Sequence, residues 1–126
     1  MKTAWMVDDD PEITQATERM MRLVGYALRG FPSAQLCGAA LLKGERPDLM
    51  MVDINMPGVS GFELLSFIRS RLSWRDIPVV MVSAETADVA VDEAIRRGAD
   101  AYLFKPATVA ELKKAVETAI ANRKSK

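Results

Sequence analysis

Four runs of apolar residues, Ala4-Trp5-Met6-Val7, Leu49-Met50-Met51-Val52, Val79-Val80-Met81-Val82 and Tyr102-Leu103-Phe104, each end abruptly in a polar stretch. Those stretches are Asp8-Asp9-Asp10, Asp53, Ser83-Ala84 and Lys105-Pro106. The runs are continuous rather than alternating, as expected of strands covered on both faces in a parallel sheet. Segments of helical period separate them, so the chain predicts an α/β domain with a doubly wound parallel sheet. In such sheets ligands bind beyond the carboxyl ends of the strands, where strand order reverses. All four polar stretches fall on that edge.

The rest of the chain fits this frame. Asp10-Pro11 starts a helix, with Asp as cap and Pro at the first position; Ile13, Ala16, Met20, Leu23 and Val24 mark its buried face and Gly25 its end. Tyr26 to Gly30 reads as a short second strand, and Ser33 caps a helix running to Lys43. The third strand covers Asp48 to Asp53, a loop with Pro57 and Gly58 follows, and Gly61 opens a helix burying Leu65, Ile68 and Leu72. The fourth strand begins at Pro78. Glu85 to Arg97 makes a fourth helix with Val91, Ala94 and Ile95 inward, and Ala101 to Phe104 is the fifth strand. Thr108 and Glu111 have capping-box spacing before a stripe of Val109, Leu112, Val116 and Ile120, and the polar end from Asn122 to Lys126 is expected to fray.

A chain of 126 residues is one domain in length, here the whole span 1–126. Lys+Arg and Asp+Glu balance at 17 each, which leaves no basic field to drive nucleic-acid binding. The single cysteine, Cys37, excludes an internal disulfide and fits a reducing compartment. No apolar run approaches the ~20 residues of a membrane span, and the N-terminus lacks a signal-peptide core, so a soluble cytoplasmic protein without membrane contact is expected. With no histidine, the chain cannot carry a phosphohistidine or build a His-containing metal site.

Singly, the polar residues have ordinary roles. Asp10 caps a helix, Asp8 and Asp9 can be solvated loop acids, Ser83 can cap the next helix, Lys105 can be a surface lysine and Tyr102 can be core packing. Together they are more specific. A strand order of 2-1-3-4-5 would gather Asp8, Asp9 and Asp53 in one pocket, where like charges raise one another's pKa and destabilise the fold unless a cation holds them. A divalent ion and Lys105 balance the three negative charges, and an all-oxygen site suits Mg²⁺, with Mn²⁺ as a surrogate.

On these residues the chain resembles the receiver domain of two-component response regulators, of the single-domain chemotaxis regulator type. The resemblance covers essentially the whole chain. It is carried by Val7-Asp8-Asp9-Asp10-Pro11, by Pro47-Asp48-Leu49 leading to Val52-Asp53-Ile54-Asn55-Met56-Pro57-Gly58 with Gly61 beyond, by Val82-Ser83-Ala84, and by Gly98-Ala99-Asp100 leading to Tyr102-Leu103-Phe104-Lys105-Pro106. It implies a flavodoxin-like fold in which five parallel strands take the order 2-1-3-4-5 with five helices. It also implies that Asp53 takes a phosphoryl group from a phosphohistidine on a histidine kinase or phosphotransfer protein. The implied metal ligands are Asp8 (mainly through a water), Asp9, Asp53 and the Asn55 carbonyl. Lys105 would pair with the phosphoryl oxygens, the Ser83 hydroxyl would hydrogen-bond another, and Ala84 would belong to the same phosphate-binding set; Ser83 and Tyr102 would form the switch, and the bond before Pro106 would be cis. The domain would catalyse its own phosphorylation and dephosphorylation without being a multiple-turnover enzyme. Output would leave as protein binding through the fourth helix, fifth strand and fifth helix, with Val89 and Arg96 on the outer face.

Three positions depart from the pattern. Asp100-Ala101-Tyr102 stands where many DNA-binding relatives have Asp-Asp-Tyr, Ala107 stands where they have Phe after Lys-Pro, and Ser60 replaces a common Asp. The first two put the charged dimer interface of that subfamily in doubt; Ser60 is expected to affect only its loop. A dinucleotide-binding enzyme is disfavoured, since there is no Gly-x-Gly-x-x-Gly and three acids follow the first strand. An aspartate-nucleophile phosphatase would share the Asp-x-Asp of Asp8-Asp9-Asp10, but would turn over phosphomonoesters. A third alternative is a receiver excised from a longer hybrid kinase or transcription factor; the start at Met1 and full final helix favour a stand-alone protein, while Arg123-Lys124-Ser125-Lys126 could be a linker stub.

Overall fold

The computed structural model describes residues 1–84 and 88–125, with Asp88 and Val89 described by their backbone alone. Its elements alternate: β1 (Lys2–Val7), α1 (Pro11–Val24), β2 (Tyr26–Phe31), α2 (Ala34–Leu42), β3 (Leu49–Asp53), α3 (Gly61–Arg69), β4 (Val79–Ser83), α4 (Asp88–Arg96), β5 (Ala101–Phe104) and α5 (Val109–Lys124). The strands form one sheet of order β2-β1-β3-β4-β5, all pairs parallel. The expected start of the fourth helix at Glu85 and the outer-face placement of the Val89 side chain lie outside the described residues.

Because side chains alternate across a strand, each apolar run feeds two cores. Met6, Met51, Val82 and Leu103 pack under α1 and α5, whereas Trp5, Val7, Met50, Val52, Val79 and Met81 pack under α2, α3 and α4. Strands buried on both faces need no alternation, which is why the runs are continuous. The cap chemistry also follows the residues: the Asp10 carboxylate accepts from the Glu12 N–H at 2.9 Å, and full capping boxes join Ser60 to Glu63 and Thr108 to Glu111.

The buried faces of three helices differ from expectation. In α1, Thr17 and Met21 are the buried residues and Ile13, Met20 and Val24 are half-buried, whereas Ala16 is exposed and Leu23 is 77% exposed. Thr17 is acceptable there because its hydroxyl donates to the Ile13 carbonyl at 2.8 Å, leaving a methyl for the core. Leu72 lies past the end of α3 and is 78% exposed, while Leu64 takes the buried position. In α4, Ala94 is buried and Val91 half-buried, but Ile95 is 50% exposed. A period-based stripe is wider than the sheet each helix covers, so its flanking residues stay wet.

The C-terminus of α5 does not fray at Asn122. Asp100, 2% exposed, sits just before β5 and binds the Arg69 guanidinium at 2.8 Å, the Arg123 guanidinium at 2.9 Å and the Val79 N–H at 2.9 Å. The Asn122 amide donates to the Asp100 carbonyl at 2.7 Å. Arg69 also donates to the carbonyls of Gly98 (2.9 Å), Arg75 (3.0 Å) and Ile77 (2.7 Å). Burial pulls the Arg69 pKa down to about 10, with Asp100 opposing the shift, so Arg69 remains charged at neutral pH. These contacts tie the ends of α3 and α5 to the starts of β4 and β5, at the edge opposite the polar stretches.

Candidate phosphoacceptor and metal site

At the carboxyl edge, β1 delivers Asp8 and Asp9, β3 delivers Asp53, β4 delivers Ser83, and β5 delivers Lys105. One carboxylate oxygen each from Asp8, Asp9 and Asp53 lies within 4.8 Å of the others. Asp8 and Asp53 are buried at 3% and 5% exposure, and Asp9 is exposed. The Lys105 Nζ donates to the Asp8 carboxylate at 2.9 Å and lies 3.3 Å from an Asp53 oxygen.

Backbone contacts hold these groups in place. The Asp8 N–H donates to the Phe31 carbonyl at 3.1 Å, and the Asp10 N–H to the Asp8 carboxylate at 2.9 Å. The Lys105 N–H donates to the Ser83 carbonyl at 2.9 Å, which registers the lysine against the end of β4. The Lys105–Pro106 peptide is cis. After β3 the chain turns so tightly that the Gly61 N–H donates to the Ile54 carbonyl at 3.1 Å, and a Cβ on Gly61 would run into the Asp53 carbonyl. Glycine at 61 is therefore a requirement of the Asp53 backbone, a role that its reading as a helix opener does not convey.

Charge at this edge is only partly balanced. Burial pushes the Asp53 carboxyl pKa above its ordinary value and the Asp8 charge adds to the rise, while Lys105 and the Asn55 N–H oppose it. The Lys105 amine is raised as well: burial works against its charge, but the hydrogen bond to Asp8 and the nearby Asp53 outweigh it. Two carboxylates reach one ammonium and Asp9 adds a third, so the donor set is all oxygen, anionic and clustered. That chemistry fits a hard divalent cation such as Mg²⁺.

A stability prediction follows. For an acid whose folded pKa is raised, the native state binds its proton more tightly than the unfolded state, so stability falls as pH rises from the unfolded pKa through the folded one. Asp53→Asn is expected to raise the melting temperature at neutral pH in chelator, with the gain shrinking in acid. Equal melting temperatures at both pH values would contradict this charge frustration.

The other expected residues are placed as follows. Asn55 sits beside Asp53, its N–H donating to the Asp53 carboxylate at 3.4 Å. Ser83 is fully buried at the end of β4, and Ala84 is exposed just beyond it. Tyr102 lies outside the carboxylate cluster. It pairs with Met81, two residues before the Ser83–Phe104 pair, so Ser83 and Tyr102 share a sheet face. Its half-buried ring packs against the exposed Phe104 ring with centroids 5.1 Å apart.

The family model for the response regulator receiver domain matches residues 4–117. The chain belongs to this receiver domain family. Among curated relatives, the transcriptional regulatory protein PrrA of Mycobacterium leprae is 34% identical over 124 residues, covering 94% of this chain and 49% of that protein. CseB of Streptomyces coelicolor is 33% identical over 100 residues, covering 79% of this chain and 41% of that protein. The receiver domain thus spans less than half the length of these regulators. Among solved structures, the chemotaxis protein CheY4 of Vibrio cholerae superposes with a TM-score of 0.86 at 27% identity, covering 94% of this chain and 98% of that one. A putative response regulator from Chloroflexus aurantiacus gives a TM-score of 0.88 at 28% identity, covering 95% and 98%. The flavodoxin-like order β2-β1-β3-β4-β5 is the one expected, and the receiver role in two-component signalling is that of the family. Among the described residues no helix is long and apolar enough to cross a membrane.

Proposed function

We propose that Asp53 is the phosphoacceptor of a receiver domain covering residues 1–126. The observation carrying this reading is the Lys105 amine held between Asp8 and Asp53 in a cluster of three carboxylates at the strand-order switch. In the reaction an Asp53 oxygen forms a bond to phosphorus as the phosphorus–nitrogen bond of a partner's phosphohistidine breaks, and the departing imidazole keeps its electron pair and takes up a proton. Mg²⁺ held by Asp8, Asp9, Asp53 and the Asn55 carbonyl would supply charge neutralisation for the incoming phosphoryl group. Lys105 then exchanges a carboxylate partner for a phosphoryl oxygen. The Ser83 hydroxyl donates to another, and the small exposed Ala84 leaves the approach open. Ser83 and Tyr102, on one sheet face, carry the change toward the surface of α4, β5 and α5, where a protein partner reads it.

Each chain takes one phosphoryl group and later loses it, which distinguishes a signalling domain from a multiple-turnover phosphatase. Its partners are a histidine kinase or phosphotransfer protein and an output protein, with no direct contact with nucleic acid or membrane. The buried lone cysteine fits a cytoplasmic setting. Because the chain spans less than half of PrrA or CseB, a second reading is that it works as the receiver segment of a longer regulator.

Incubation with acetyl phosphate and Mg²⁺ is expected to add one phosphoryl mass to the intact protein, and none to Asp53→Asn. An Asp53→Asn protein that still gained the mass would move the acceptor elsewhere. Mg²⁺ is also expected to raise the melting temperature, because it binds only the folded carboxylate cluster; at about 100 times its Kd the gain is about 2.7 kcal/mol. Asp9→Ala should remove most of that shift, and a shift surviving the substitution would displace the metal site.

A further inference from the structure

Between the sheet, α1 and the turn from β5 to α5 lies a cavity of about 510 Å³, walled by Met6, Ile13, Met20, Met51, Leu103 and Leu112. Its volume is in the ~300–1,000 Å³ range of small-molecule sites. Two of the lining residues, Thr17 and Lys105, carry polar side-chain groups, and both groups have partners. The Thr17 hydroxyl donates to the Ile13 carbonyl at 2.8 Å, and the Lys105 amine is held by Asp8 at 2.9 Å. Among the described residues no buried side-chain nitrogen or oxygen lacks a partner. No side chain named in the wall is left with a free polar group to orient an ion or a strongly polar molecule. The three methionines add unbranched, polarisable side chains that adapt to an occupant's shape. The small side chain of Ala107 lines the space, and Ala84 and Lys105 line this cavity and also stand at the phosphoacceptor edge.

We propose that this cavity binds a neutral, apolar small molecule of about one or two rings, and that its occupancy is coupled to the Asp53 site through Lys105 and Ala84. The coupling rests on the phosphoacceptor reading; the binding does not. An occupant presses on the turn whose first residue, Lys105, is fixed to the Ser83 carbonyl and to Asp8. Phosphorylation that moves Lys105 must by reciprocity change the affinity of the cavity.

The test uses the 126-residue chain carrying ¹³C-methyl methionine, titrated with toluene and followed by NMR. Saturable shifts are expected at Met6, Met20 and Met51, with Met50 and Met81 on the opposite sheet face silent. Absence of saturable shifts, or equal shifts on both faces, would overturn the binding site. So would the same shifts on raising protein concentration without toluene, since a second copy would then be covering the cavity. Ala107→Phe, which puts a ring into the space, should weaken toluene at least about tenfold, the scale of a lost apolar contact set. Should that variant fail to fold, Ala16→Phe narrows the cavity from an exposed position of α1, with the same expectation. Toluene affinity should change about fivefold or more on adding Mg²⁺ and beryllofluoride, and an unchanged affinity would remove the coupling. If Asp53 proves not to be the acceptor while toluene still binds, the function reading fails and the site stands.

Discussion

Asp100→Ala is expected to destabilise the domain by about 3–5 kcal/mol, the cost of leaving buried charges without their partner. Asp100 ion-pairs with both the Arg69 and Arg123 guanidinium groups, each with 12% of its side chain exposed, so its removal leaves two cations in a poorly hydrated site without that partner. It also strips the acceptor from the Val79 N–H at the first residue of β4. Against a total stability of roughly 5–15 kcal/mol, the loss should appear as a fall of roughly 10–20 °C in melting temperature. Asp100→Asn separates charge from shape, since the amide oxygen can still accept from Val79. Asn with parental stability would mean that the ion cluster contributes nothing through its charge.

Gly61→Ala is expected to lower stability by about 1–3 kcal/mol, as overpacking does, and to slow phosphorylation at Asp53. Elsewhere in a helix such a change helps, because alanine is up to about 1 kcal/mol better than glycine there. Gly38 in α2 supplies the contrast: a Cβ there meets the Phe67 ring at an ordinary 3.6 Å, so Gly38→Ala should be neutral or stabilising. At 61 the obstacle is backbone, the Asp53 carbonyl and the Ile54 Cα, and neither can step aside without moving the acceptor. Urea unfolding and acetyl phosphate uptake, measured on both variants, check the contrast. If the two alanines behave alike, the tight turn is not what holds Asp53.

The strands and the carboxylate edge were legible because their signals are local and dense. Five strand segments lie within a residue or two of their expected positions, and Asp8, Asp9, Asp53 and Lys105 converge as their places at strand ends imply. What escaped detection was tertiary. Leu23, Leu72 and Ile95 share the period of buried neighbours but lie beyond the width of the sheet. No local pattern marks Arg69 and Arg123 as partners of Asp100, because the fold brings them together across 31 and 23 residues of sequence. The cavity under α1 and α5 has no linear signal beyond the small residue at Ala107.

Cys37 lies in α2 with no exposed surface, and burial pushes its thiol pKa up to about 12. A thiol reagent must therefore wait for the domain to open before it finds a thiolate. The chain carries a built-in clock for opening around α2, readable from the rate of Cys37 labelling in native buffer. Cysteines introduced on the surface for dyes or cross-links would react long before it, so the natural residue can stay in place.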